Sequence, residues 1–179
     1  SSSGETNSDK GYKFVKRLID ARTLNINVPP ETAFNPIQNI GGEKGWYACN
    51  LLWQLRGVID LLLGGVGMRR GRSHKDKLIV GGTIDFWRIE KIIPNNFLSL
   101  SAEMKLPGKA WLEFEVIGNG SSSTIKQTAI FEPIGILGKM YWYALYPLHQ
   151  LIFAGMLQAI ADKALALSKK DGTNSKKLY

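Results

Sequence analysis

The chain has one cysteine, Cys49, and two histidines, His74 and His149. A single thiol excludes an internal disulfide framework and a cysteine-rich metal centre. The two histidines lie far apart and form no metal-ligand signature. There is no Walker loop and no dinucleotide-type glycine fingerprint. No serine has a visible histidine and acid partner, so hydrolase chemistry has no support. No basic start runs into an apolar core as in a secretory signal, and a cytoplasmic protein is expected. On these grounds neither a cofactor nor a bound metal is expected.

Hydrophobic residues make up 44% of the 179 positions and charged residues 21%. That balance is too apolar for a disordered chain and suits one globular domain with its own core. The net charge of +8 is concentrated in two places. One is the segment 68–77, with Arg69, Arg70, Arg72, Lys75 and Lys77; the other is the stretch from Lys169 to Tyr179. Such runs are usually solvating. They also allow weak contact with an anionic membrane surface, worth at most about 1 kcal/mol per basic residue. The basic segment has no interleaved aromatics and no recognisable motif, so nucleic acid is not an expected partner.

Domain boundaries follow from composition. Residues 1–20 read as a flexible polar start, 21–168 as one folded domain, and 169–179 as a basic flexible tail. Thr23–Val28 alternates like a strand and stops at Pro29-Pro30, which opens a short helix ending before Gly41. Trp46 to about Leu63 has helical apolar spacing and ends at Gly64, Gly65 and Gly67. Strands follow over Ile84–Ile93, Phe97–Leu106, Lys109–Ile117 and Thr124–Phe131, separated by Pro94-Asn95-Asn96, Pro107-Gly108 and Gly118-Asn119-Gly120. Short strands with tight turns predict an antiparallel meander.

The period-2 pattern sorts the faces. Leu98, Leu100, Ala102, Met104 and Leu106 share one side of their strand, as do Ala110, Leu112, Phe114 and Val116 on the next. Ile125, Gln127, Ala129 and Phe131 point the same way, and Asp85, Trp87 and Ile89 join them. Asp85 and Gln127 thus become buried polar residues, which need partners. Glu103 and Glu113 fall on the wet side, solvated or paired with Lys105 and Lys109.

Residues 137–167 read as a long helix that Pro147 should kink or split. Met140 to Leu157 contains no Lys, Arg, Asp or Glu, which touches the lower limit for a membrane span. A covering helix for the apolar face of the meander explains it better. Apolar residues all round this segment point to cover on two sides.

Four phrases carry a family resemblance: Asp85-Phe86-Trp87-Arg88-Ile89-Glu90; Glu103 to Gly108 with Ala110 to Phe114; Gln127 to Phe131 with Pro133, Gly135 and Leu137-Gly138; and Tyr141-Trp142-Tyr143 with Pro147, His149, Ile152-Phe153 and Gly155-Met156. In this order, over roughly residues 22–166, they resemble bacterial domain-of-unknown-function family 2867. That family is often found after a short-chain-dehydrogenase-like, NAD(P)-binding domain. The resemblance implies the α+β helix-grip fold of START and polyketide-cyclase-like domains, a curved antiparallel sheet around a long C-terminal helix. It brings no established activity. This sequence contains no nucleotide-binding half, so no NAD(P) role is carried over.

The candidate ligand-contacting set is Asp85, Trp87, Met104, Leu112, Phe114, Gln127, Phe131, Tyr143 and His149. The apolar members would line a cavity between sheet and helix, and the polar ones would orient a ligand's polar end. No catalytic residue is assigned. The leading reading is a binding domain for a small hydrophobic molecule. One alternative is an interaction module that docks on itself as a homodimer or on a dehydrogenase-like protein. The other is a cyclase or isomerase in which Asp85, Gln127, Tyr143 and His149 transfer protons, which requires two of them to converge. Trp87, Phe114, Phe131 and Tyr143 are large enough to fill such a cavity.

Overall fold

The computed structural model describes residues 16–41, 45–46, 71–73, 77–103 and 106–175. Its elements run β1 (Leu18–Ile26), α1 (Pro30–Gln38), β2 (Thr83–Ile84), β3 (Trp87–Ile93), β4 (Phe97–Ala102), β5 (Gly108–Asn119), β6 (Ser122–Pro133) and α2 (Gly135–Ser175). The expected helix after Trp46, with Cys49, and the residues Met104, Arg69, Arg70 and His74 lie outside the described residues.

The strands form one antiparallel sheet in the order β1-β6-β5-β4-β3-β2. The meander is as the turns predict, and β1 returns to pair with β6, placing Leu18 opposite Phe131 and Ile26 opposite Ser123. β1 starts inside the segment expected to be flexible. Alternation decides which face is covered: Leu98, Leu100, Leu112, Phe114, Val116, Ile125, Gln127, Ala129 and Phe131 are all buried. α1 and α2 pack on this face, α1 through Ala33, Phe34 and Ile37.

The single strand expected over Ile84–Ile93 is two strands, β2 and β3, parted by a turn at Asp85-Phe86. Asp85 sits at φ 52°, a left-handed conformation that Asp tolerates better than most residues. Just behind this turn runs Gly41 at φ 76°, where a Cβ would lie 2.1 Å from Ile84 Cγ2. Only glycine lets the chain leaving α1 pass so close to β2.

α2 is 41 residues long and continuous through Pro147, so the proline splits nothing. It reaches Ser175, beyond the boundary expected for the basic tail. By length and composition Gly135–Asp171 could cross a membrane. Here it is the core helix of the fold. Ile152, Phe153, Met156, Leu157, Ile160, Ala161 and Ala164 are buried against the sheet and α1. Its N-terminal half also carries apolar residues on the outside: Ile136, Leu137, Met140, Tyr143 and Leu151 are exposed.

Candidate functional site

Three alanines on neighbouring strands, Ala102, Ala110 and Ala129, leave a hollow in the covered face of the sheet. Trp87 and Phe131 wall it from the sheet, and Tyr141, Trp142, His149 and Phe153 wall it from α2. The remaining cavity has a volume of about 40 Å³, room for a water-sized object and far short of the ~300 Å³ at which drug-sized ligand pockets begin.

Aromatic packing accounts for the small volume. Trp142 stacks on Phe131 with centroids 5.7 Å apart and planes at 9°. Tyr141 also packs on Phe131, with centroids 5.8 Å apart and planes at 38°. Along α2, Trp142 meets His149 at 6.0 Å and His149 meets Phe153 at 5.4 Å. Offset and tilted ring pairs of this kind add about 0.5–1.5 kcal/mol each beyond area burial.

A second aromatic group joins the first at Trp87. Its ring lies 5.3 Å from Phe86 and 6.2 Å from Trp46, and Trp46 stacks on Phe86 at 6.3 Å. The Trp46 indole N–H donates to Asp85 Oδ2 at 2.8 Å. That bond supplies the buried Asp85 carboxylate with a partner, and the left-handed turn aims it there.

The nine candidate residues therefore separate. Trp87, Phe131 and His149 meet at the cavity. Leu112 and Phe114 are fully buried in the core beside it. Gln127 is buried and donates through Nε2 to the Phe153 main-chain carbonyl at 3.0 Å. Asp85 is engaged by Trp46, Tyr143 is 64% exposed on the outer side of α2, and Met104 lies outside the described residues. The four groups considered for proton transfer do not converge, and His149 alone of them faces the cavity. Among the described residues no three His, Cys, Asp or Glu side chains gather as metal ligands.

Sequence reasoning passed over Trp142, Tyr141 and Phe153 as site residues. The signal was helical phase. Residues 142, 149, 153, 156 and 160 fall on one side of a helix, and residue 143 is turned about 100° from it. Glu103, on the wet side as expected, bonds Arg88 across the strand pair. Glu113 accepts from Ser99 at 3.2 Å. Of the basic segment, Arg72 is tied into the fold, its Nη2 donating to the Gln38 carbonyl at 3.1 Å.

Among solved structures, norcoclaurine synthase from Thalictrum flavum is similar over 92% of this chain and 99% of its own, at 12% identity and a TM-score of 0.50. A point mutant of that synthase with a transition-state analogue is similar over 86% and 97%, at 12% identity and a TM-score of 0.51. A protein of the dynemicin biosynthetic locus is similar over 80% of this chain, at 8% identity and a TM-score of 0.48; the chain spans 46% of its length. At the identities of the two synthase structures the likeness is one of fold, and that fold is the helix-grip. No curated protein matches the sequence. Residues 16–156 match the model of the family described as "Protein of unknown function (DUF2867)", and the chain belongs to that family.

Proposed function

We propose that this chain is a cytoplasmic binding protein for a small hydrophobic molecule, held between the sheet and the first half of α2. The observation that carries the reading is the alanine hollow at Ala102, Ala110 and Ala129, roofed by Trp142 stacked on Phe131. Small sheet residues facing large helix residues interdigitate, so the space over the alanines is set by the Trp142 ring and opens where that ring moves aside. Binding requires Trp142 to swing off Phe131, which enlarges the cavity by roughly the volume of an indole. The energy of that swing lowers apparent affinity by the fraction of open protein.

Native mass spectrometry of the purified chain, with organic extraction of what it releases, tests this. A defined extra mass that leaves on denaturation supports the reading and names the ligand's chemical class. A chain that stays free of added mass when incubated with a panel of small aromatic and aliphatic molecules overturns it.

A second reading is self-association, compatible with the first. Ile136, Leu137, Met140, Tyr143 and Leu151 lie within about 120° of one another around α2 and form an exposed stripe, joined by Ile134 and Tyr146. Their exposed surface is on the order of the ~800 Å² that each partner buries in a standard interface. Such a stripe matches its own copy when two helices cross at a shallow angle. Light scattering that gives a dimer mass supports it. A monomer at every concentration overturns it and leaves a dehydrogenase-like protein as the occupant to test.

A further inference from the structure

The polar network under α2 leaves one donor and one acceptor unused. Arg22 on β1 and Gln127 on β6 are directly paired across the strands, and both side chains point to the helix side. Arg22 Nη2 donates to Asp20 Oδ2 at 3.1 Å and to Gln150 Oε1, and Gln150 Nε2 donates to Asp20 Oδ2 at 3.2 Å. Gln127 Nε2 donates to the Phe153 carbonyl. That carbonyl can only accept, which fixes which end of the amide is nitrogen. Among the described residues, Arg22 Nε and Gln127 Oε1 are buried and have no partner. Gln127 itself is 1% exposed.

An unmet buried donor and an unmet buried acceptor are each costly. Paired residues on adjacent antiparallel strands have Cβ atoms about 5 Å apart, so the two side chains leave the sheet side by side. One group that accepts from Arg22 Nε–H and donates to Gln127 Oε1 would satisfy both. A carboxylate cannot donate, and an ammonium cannot accept. Asp20 offsets the Arg22 charge, so the place does not select an anion either. A hydroxyl does both. Neither side chain is part of the cavity lining, but the place lies beside it: Ala129 is two residues along the same face of β6, about 7 Å away, and Phe153, which receives the Gln127 amide, lines the cavity wall.

We propose that the hydrophobic molecule bound by this chain carries a hydroxyl that seats between Arg22 Nε and Gln127 Oε1. This deepens, and rests on, the reading of the cavity as a ligand site. The test is a calorimetric titration of the intact chain with 2-naphthol and with 2-methoxynaphthalene, which has the same ring but cannot donate. The expected result is tighter binding of 2-naphthol by about tenfold or more, with the preference removed in Gln127→Met. Equal affinities in the unaltered chain overturn the hydroxyl site and leave the cavity reading standing, with a resident water closing the gap. A preference that survives in Gln127→Met also overturns it. If neither probe binds, the cavity reading falls and this inference falls with it. The comparison on the unaltered chain decides the matter even if the variant does not fold.

Discussion

The indole of Trp142 lies parallel to the phenyl ring of Phe131, 5.7 Å away and tilted by 9°. One ring belongs to the helix and the other to the C-terminal end of β6. The pair closes the hollow left by the alanines of the sheet. A plug and an ordinary core ring respond differently to truncation.

Trp142→Ala removes the helix half of the pair. The residue is 7% exposed, so the expected cost is about 3 kcal/mol, at the low end for buried aromatic truncation. Chemical denaturation measures that loss. In the plug account the same variant binds naphthalene-sized probes more tightly than the unaltered chain, because no ring has to be displaced. A variant that loses stability without gaining affinity marks Trp142 as core.

Asp85 is expected to be structural. Trp46→Phe takes away its indole donor and is expected to cost about 1–3 kcal/mol. Asp85→Ala loses the same bond and adds the strain of a left-handed alanine, a further ~1 kcal/mol. Asp85→Asn keeps an acceptor oxygen and tolerates the conformation, so it is expected to be the mildest of the three. Urea midpoints in that order, with probe affinity little changed, agree with the account. A collapse of probe binding in Asp85→Asn at full stability would contradict it.

Gly138 holds the start of α2 against the sheet. A Cβ there would sit 2.4 Å from the Pro107 carbonyl oxygen and 2.8 Å from Pro133 Cβ. Alanine favours a helix over glycine by about 1 kcal/mol, yet Gly138→Ala is expected to destabilise by roughly 1–3 kcal/mol, because backbone must move. Gly120, where nothing lies within 4 Å, is the control, and Gly120→Ala is expected to change stability by no more than about 0.5 kcal/mol. Thermal melts of the two variants make the comparison.

The exposed stripe of α2 makes a separate prediction. Leu137→Lys with Met140→Glu changes two residues that are 73% and 62% exposed, so the melting temperature of the folded unit is expected to hold within a few degrees. The sedimenting mass is expected to fall from dimer to monomer. An unchanged mass would remove this face from the association.

Much of the sheet was legible because its strands obey a period of two. The inward placing of Leu98, Leu100, Leu112, Phe114, Ile125 and Gln127 needed only alternation and turn residues. The break at Asp85-Phe86 was not legible. No glycine or proline marks it, and the turn depends on a bond to Trp46, distant in sequence. On α2 the aromatic cluster was visible, but alternation gives no phase for a helix. Tyr143 was chosen where its neighbour Trp142 faces the sheet. Pro147 illustrates a further limit: tertiary packing of the buried face beyond it carries the helix through a residue that would break it in isolation.

A nuclear magnetic resonance titration with 2-methoxynaphthalene tests the central claim most directly. Saturable shifts are predicted at the indole signals of Trp87 and Trp142 and at the imidazole of His149, with the Tyr143 ring and Leu151 methyls unmoved. Shifts confined to Tyr143, Leu151 and their exposed neighbours, or no saturation at the three cavity residues, would contradict a ligand site between the sheet and α2.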